Sequence, residues 1–400
     1  MVVFYLALAG SQFLATWLAE KPDLRSLQAA LTLAPGNAQY RYRLGRLYWS
    51  DPRLAGEFYK SAVALNPYDS RYWFDLASAE KMLNHPNQQE YALDRAVRAA
   101  PTSLNVALEA ANIYWSLGEN DKALQEFRVI LQNDPAHSSA ALQDCWKIRP
   151  DTDYLLQNIV PLDAGSLSQF LSLLIANNRR PDAAKVWQEM AAVHFPVEAR
   201  HIFGYIHYLV DQRDVEQARL VWRQAGDLAG LSAYQPSAEN QVVNGDFSLP
   251  MLNGGFDWLY EQSPAVSLAL DSAQFHSGHR SLAIMFDTGG ARHVGIRQLI
   301  PAKPNAEYEF SAFFKTGELQ GAGAATFVIQ DAFSGNPYFV SDDLKDTDFW
   351  KPVEGRFSTS ADATLLVLQI QCFPPNDAMH GTLWIDGVRL RETQPEKAVR

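Results

Sequence analysis

Four prolines mark time along the first third of the chain: Pro35, Pro67, Pro101 and Pro135 stand 32, 34 and 34 residues apart. A period of this length signals a stacked supersecondary unit, each copy too small to bury its own apolar face. Ahead of the later prolines run stretches whose small and aromatic residues fall at helical offsets: Ala55, Tyr59 and Ala62, then Leu93 and Ala96, then Ala123, Phe127 and Ile130. Those offsets put one stripe on one helix face. Earlier in the units stand Leu44, Gly45 and Tyr48, then Leu76, Ala77 and Glu80, then Ala110, Ala111 and Tyr114, where a small residue lets two helices approach. Gly118 is placed to close a helix. The unit from Leu44 to Pro67 is two residues short, which predicts a shortened turn at Ser50, Asp51 and Pro52 with both helices intact.

These residues, over roughly 23–136, resemble the tetratricopeptide repeat, a 34-residue helix-turn-helix unit. The resemblance implies an all-α solenoid over 20–146 whose concave groove holds protein partners. The named alanines and aromatics are core residues by their offsets and not ligand contacts. Past Cys145 and Trp146 the proline spacing lapses, yet Ala183 and Trp187 recur as Ala218 and Trp222, 35 residues on, followed by Met190 and Ala225. This predicts further degenerate helical repeats within 147–232, with 147–165, carrying Pro150 and Pro161, as a less regular connection.

The first nineteen residues carry no charged side chain. A helix of that length, at ~1.5 Å per residue, nearly crosses ~30 Å of hydrocarbon, so 1–19 is a candidate membrane anchor. Gly10, Ser11, Gln12 and Thr16 interrupt the run and no Lys or Arg precedes it, so a buried first helix is the competing reading.

Near residue 232 the texture changes to Gly, Asn and Pro punctuation, with a linker at about 230–240. Alternating or β-branched runs then mark strands at 266–270, 281–286, 294–300, 307–315, 324–330, 350–357, 364–372 and 382–390. In the run 308–315, Tyr308, Phe310 and Ala312 face one way and Glu309, Ser311 and Phe313 the other. About eight short strands predict an all-β jelly-roll sandwich over 240–392. The segment 331–343, with Tyr338 and Phe339, reads as a loop.

NGDF at 244–247, GGFDW at 254–258, HSGHRSL at 276–282, Pro301 to Tyr308 leading into FSAFFKT, and LWIDGVRL at 383–390 resemble the calcium-bearing jelly-roll, galactose-binding-like carbohydrate-binding modules of polysaccharide-active proteins. The resemblance implies glycan binding through aromatic rings, with Tyr338, Phe339, Trp350, Trp258 and Tyr260 as candidates, although Trp258 and Trp384 also read as core. It also implies a structural calcium at Asp246 and Asp386; Ser248 stands where the family usually has a carboxylate, and calcium needs about six to eight oxygens. His276, His279 and His293 read as surface-turn residues, with Gly278 between the first two.

Charge narrows the partners. The net charge is −11, with 22 Lys and Arg against 26 Asp and Glu before residue 240 and 12 against 19 after it. Neither part has the basic surface that nucleic acid or an anionic membrane rewards. Two cysteines in different regions exclude a disulfide framework. No nucleophile elbow, zinc-binding HExxH, P-loop or dinucleotide signature occurs, and GAGAAT at 321–326 lacks the phosphate loop's lysine. The expectation is a non-enzymatic scaffold that binds protein through the repeats and polysaccharide through the jelly roll. Its combination of modules resembles accessory proteins of bacterial exopolysaccharide assembly or export, which implies a membrane-anchored, extracytoplasmic setting, with cytoplasm as the alternative. Competing functions are a pure protein-protein adaptor with a structural jelly roll and a polysaccharide-modifying hydrolase using Asp342, Asp343, Asp346 or Asp348.

Overall fold

The computed structural model describes residues 2–193, 197–287, 293–374 and 379–393. The chain forms two compact units, residues 1–173 and 174–400. Helices come first: α1 (Val2–Glu20), α2 (Leu24–Leu33), α3 (Ala38–Leu47), α4 (Pro52–Leu65), α5 (Ser70–Met82), α6 (Pro86–Ala99) and α7 (Leu104–Leu117). They continue as α8 (Asn120–Asn133), α9 (Ser138–Ile148), α10 (Thr152–Asn158), α11 (Ala164–Ala176), α12 (Arg180–Val193), α13 (Ala199–Asp211) and α14 (Val215–Leu228).

In the first unit each periodic proline follows the end of a helix by two residues, the place where a residue without an amide donor does least harm. Asp51 caps α4 through Leu54 N at 3.2 Å with Pro52 in the first turn, so the shortened unit keeps both helices. Gly45 lies flat against the Tyr59 ring, and a Cβ there would meet ring carbons at 2.5 Å. Ala55, Tyr59, Ala62, Ala92, Ala96, Ala110 and Ala123 share one core, as their offsets predict. The buried Glu80 carboxylate is held by Lys60 at 3.1 Å and His85 at 2.8 Å. The connection expected at 147–165 holds a helix of its own, α10, capped by Asp151 through Tyr154 N at 3.1 Å. Ala15 and Ala19 of α1 pack with Leu27, Ala30, Tyr40 and Leu44. The anchor expected at 1–19 finds no support, since among the described residues no helix is long and apolar enough to cross a membrane.

The second unit joins helices to a β-sandwich. Trp187 donates from its indole to Gln224 Oε1 at 2.7 Å, and Trp222 to Tyr234 O at 3.1 Å; both rings are fully buried. The strands are β1 (Leu259–Tyr260), β2 (Val266–Asp271), β3 (Ser281–Phe286), β4 (His293–Pro301), β5 (Glu307–Gly321), β6 (Ala324–Asp331), β7 (Pro337–Val340), β8 (Lys351–Ser358), β9 (Leu365–Phe373) and β10 (Met379–Thr393). They form two antiparallel five-stranded sheets, β1-β4-β9-β6-β7 and β2-β3-β10-β5-β8. Leu282, Ile284, Phe310, Phe327, Leu368 and Ile385 lie in the core between them. All eight expected strands are present. The two that were not expected are both at the rim of the first sheet: β1, of two residues, and β7, which opens on Pro337 at an edge, where a missing amide donor is tolerated. Tyr338 and Phe339 therefore belong to a strand, not to a loop. The helices grip the sandwich through glycines: Gly254 lies where a Cβ would be 2.1 Å from the Phe203 ring, and Gly255, at φ +61°, where one would be 2.2 Å from Trp222.

Candidate functional site

The sequence of β9 alternates. Leu366, Leu368, Ile370 and Cys372 enter the core, which turns Val367, Gln369 and Gln371 to the outer face of the first sheet. The antiparallel register lays two rows across that face: Leu299 of β4 beside Val367 beside Gln330 of β6, and Leu259 of β1 beside Arg297 of β4 beside Gln369. Above the rows stand His207, Val210 and Asp211 at the end of α13, then Arg213 in the turn to α14, and Phe333 from the loop after β6. Together they enclose a cleft of about 520 Å³. A smaller recess of about 100 Å³ continues it past Glu261, Gly295 and Gln369.

Local chemistry fixes each wall. Asp331 Oδ1 accepts from Phe333 N at 3.0 Å and Ser334 N at 2.7 Å, and Gly335, at φ +73°, completes the turn that carries Phe333. Arg213 donates its amide to Val210 O at 2.9 Å, Asp214 donates to Leu209 O at 2.8 Å, and Asp214 then caps α14 through Gln217 N at 3.3 Å. The Arg213 guanidinium lies 5.0 Å from the centre of the Phe333 ring. Arg297 pairs with Glu261 at 3.2 Å, and His207 Nε2 lies 3.4 Å from Asp211 Oδ2. Two amides, two guanidiniums, a carboxylate and an imidazole over an apolar floor suit a polyhydroxylated ligand, whose hydroxyls both donate and accept.

The expected aromatic candidates do not converge here. Trp258 is 1% exposed, packed on Phe247 with its indole donating to Asn244 O at 3.1 Å. Tyr260 pairs with the inward Ile296 and packs against the core, while its neighbour Leu259 lines the cleft. Phe339 lies on Gly355 and 5.3 Å from Phe310; Tyr338 stacks on Phe357 at 5.9 Å and shares a 2.6 Å hydrogen bond with Ser360. Trp350 stands apart, edge-on to His276 at 5.9 Å, and His276 stacks on Phe313 of the other sheet at 3.6 Å. Asp342, Asp343, Asp346 and Asp348 lie between β7 and β8, with Asp343 paired to Lys345 at 2.8 Å. The side chain of His293 lies outside the described residues. Of the cleft residues only Gln369 carries a sequence signal, its alternation with Gln371 along one strand; Arg297 and Gln330 carry none.

Asp246 and Asp386 reach the same loop from two sides, but as hydrogen-bond acceptors. The fully buried Asp386 takes His276 N at 2.6 Å and Ser277 N at 2.7 Å on Oδ2, and Ser277 Oγ at 3.0 Å and Gly387 N at 2.6 Å on Oδ1. Asp246 Oδ2 accepts from Ser248 Oγ at 2.9 Å, and Gly278, at φ +64°, sits so close that a Cβ would lie 2.8 Å from it. Calcium is held by oxygen lone pairs, whereas the Asp386 oxygens already accept from four N–H and O–H donors. Among the described residues no group of three or more His, Cys, Asp or Glu side chains gathers for a metal. The expected calcium therefore does not fit these two residues as they are arranged.

A family model described as a carbohydrate binding domain matches residues 239–377, and a tetratricopeptide repeat model matches 24–70 and 90–138. A TPR repeat-containing protein of Methanocaldococcus jannaschii is 25% identical over 130 residues, 32% of this chain and 23% of that protein, so the chain spans about a quarter of the curated relative's length. Among solved structures, a family 4 carbohydrate-binding module is similar at 15% identity, TM-score 0.30, over 38% of this chain and 99% of that one. The xylan-binding domain CBM22-1 of Paenibacillus barcinonensis Xyn10C gives 16%, 0.28, 38% and 93%, and the MamA protein 19%, 0.26, 46% and 88%. The chain carries tetratricopeptide repeats followed by a carbohydrate-binding domain.

Proposed function

We propose that this chain is a non-enzymatic scaffold that holds a glycan in the cleft between α13 and the outer face of the first sheet, and a protein partner on its repeats. The cleft carries the reading: planar amide and guanidinium groups ranged along an apolar sheet face match a sugar's alternating hydroxyls and C–H surface. The matched repeat and carbohydrate-binding families support the two halves of the role. Large side chains left exposed on the repeats, Trp49, Tyr68, Tyr91 and Trp115 among them, suit a protein contact. Bacterial exopolysaccharide assembly or export outside the cytoplasm is the setting we propose, on the resemblance in module order. Titrating the full chain with neutral oligosaccharides and bacterial exopolysaccharides should give saturable binding, weakened at least tenfold by Gln369→Ala. Binding that ignores this substitution would place the glycan elsewhere, and silence across the panel would leave an adaptor.

A further inference from the structure

Four helical hairpins of this chain turn in the same way. In each, a residue one or two positions past the first helix adopts left-handed backbone and the next amide reaches five residues back: His85 N to Glu80 O, Glu119 N to Tyr114 O, Arg179 N to Leu174 O and Asp214 N to Leu209 O. Three of the left-handed positions hold Asn84 (φ 59°), Gly118 (φ 81°) and Asn178 (φ 54°), residues that enter this region readily. The fourth holds Arg213, at φ 59°, an arginine under backbone strain that its counterparts avoid. It is also the one of the four that overhangs the cleft.

The charges there are unevenly matched. Arg297 has Glu261, and Asp211 has His207. Among the described residues Arg213 has the ring of Phe333 and no ion pair. A ring face attracts the cation but uses none of its in-plane N–H donors, so the guanidinium fork stays open to the geometry it fits best, a carboxylate taken by two parallel hydrogen bonds. Gln330 and Gln369 on the floor supply amide donors and acceptors for hydroxyls.

We infer that the cleft selects an acidic saccharide, with Arg213 binding a uronate carboxylate while the sheet amides bind ring hydroxyls. The inference rests on the cleft being the glycan site. It makes the α13–α14 turn a specificity element lying outside the segment 239–377 that the carbohydrate-binding family covers.

The test uses the full chain at about 0.15 M salt, where charges beyond ~8 Å are screened and the local guanidinium decides. Oligosaccharides of galacturonic and glucuronic acid are titrated beside neutral oligosaccharides of the same length and linkage, on wild type, Arg213→Asn and Arg213→Lys. The expected result is at least tenfold tighter binding of the acidic set, a preference lost in R213N and partly kept in R213K, with neutral binding weakened by a clearly smaller factor than acidic binding. R213N should melt no lower than wild type, because asparagine suits the turn. Equal affinity of wild type for both sets, or a preference that survives R213N, overturns the inference and leaves the glycan reading standing. A lowered melting point with parallel loss of both ligand sets makes Arg213 a structural staple, which also overturns it. Binding of neither set by wild type overturns the glycan reading, and the inference with it.

Discussion

Asp257 is a buried carboxyl that the fold half satisfies. Oδ2 accepts from Leu252 N at 2.7 Å, Oδ1 has no hydrogen-bond partner among the described residues, and burial pushes the group up to about 6. An unfolded aspartyl group binds its proton near pH 4, so the folded state holds the proton more tightly. The resulting stabilisation is full below about pH 4 and is lost as pH rises through 6, by about 3 kcal/mol for a shift of about two units. Denaturant unfolding across this range should show wild type losing stability relative to Asp257→Asn as pH rises. Parallel profiles would mean that water reaches Oδ1. At Gly45 the constraint is space: Gly45→Ala sets a methyl against the buried Tyr59 ring and should destabilise the first unit by about 1–3 kcal/mol, read from its urea midpoint.

Single side chains of this kind also tie elements together. Asp386, by taking four donors, clasps β10 to the loop before β3, so Asp386→Ala strands three backbone amides and should cost about 3 kcal/mol or more. Hydrogen exchange at 276–279 should rise in that variant. A chelator should leave the wild-type melting midpoint unchanged, whereas a rise on adding calcium would show the cation displacing these donors. Elements were the level at which the sequence was most legible. The period-2 pattern of 308–315 sets Tyr308, Phe310 and Ala312 on one face, which the sandwich makes its core, and the proline spacing locates the helix pairs. β7 escaped because four residues opened by a proline carry too little alternation to count, and α10 because Pro150 and Pro161 masked seven helical residues. The cleft was harder still. Arg297, Gln330 and Gln369 meet only through strand register across distant segments, and Arg213 sits where periodicity announces nothing but a turn. Aromatic content points to Trp258 and Tyr260, yet which side of a strand a ring takes is settled by the pairing.

At the scale of the molecule, the unit 174–400 runs across the change of texture near residue 232. Cutting at 240 would strip Phe203 and Trp222 from Gly254 and Gly255 and would remove the Arg213 wall of the cleft. A 240–400 fragment should therefore melt below a 174–400 fragment and bind the glycan more weakly. Equal melting would show that the glycine contacts are only steric accommodation. These contacts also bear on assembly. A stack of helical hairpins ordinarily ends in an apolar face that needs a polar capping helix, and left bare it offers a second copy a surface to continue the array into a filament. Here the sandwich occupies the flank of the last hairpin as a capstone, so growth by end-to-end addition is blocked at that end of the helical series.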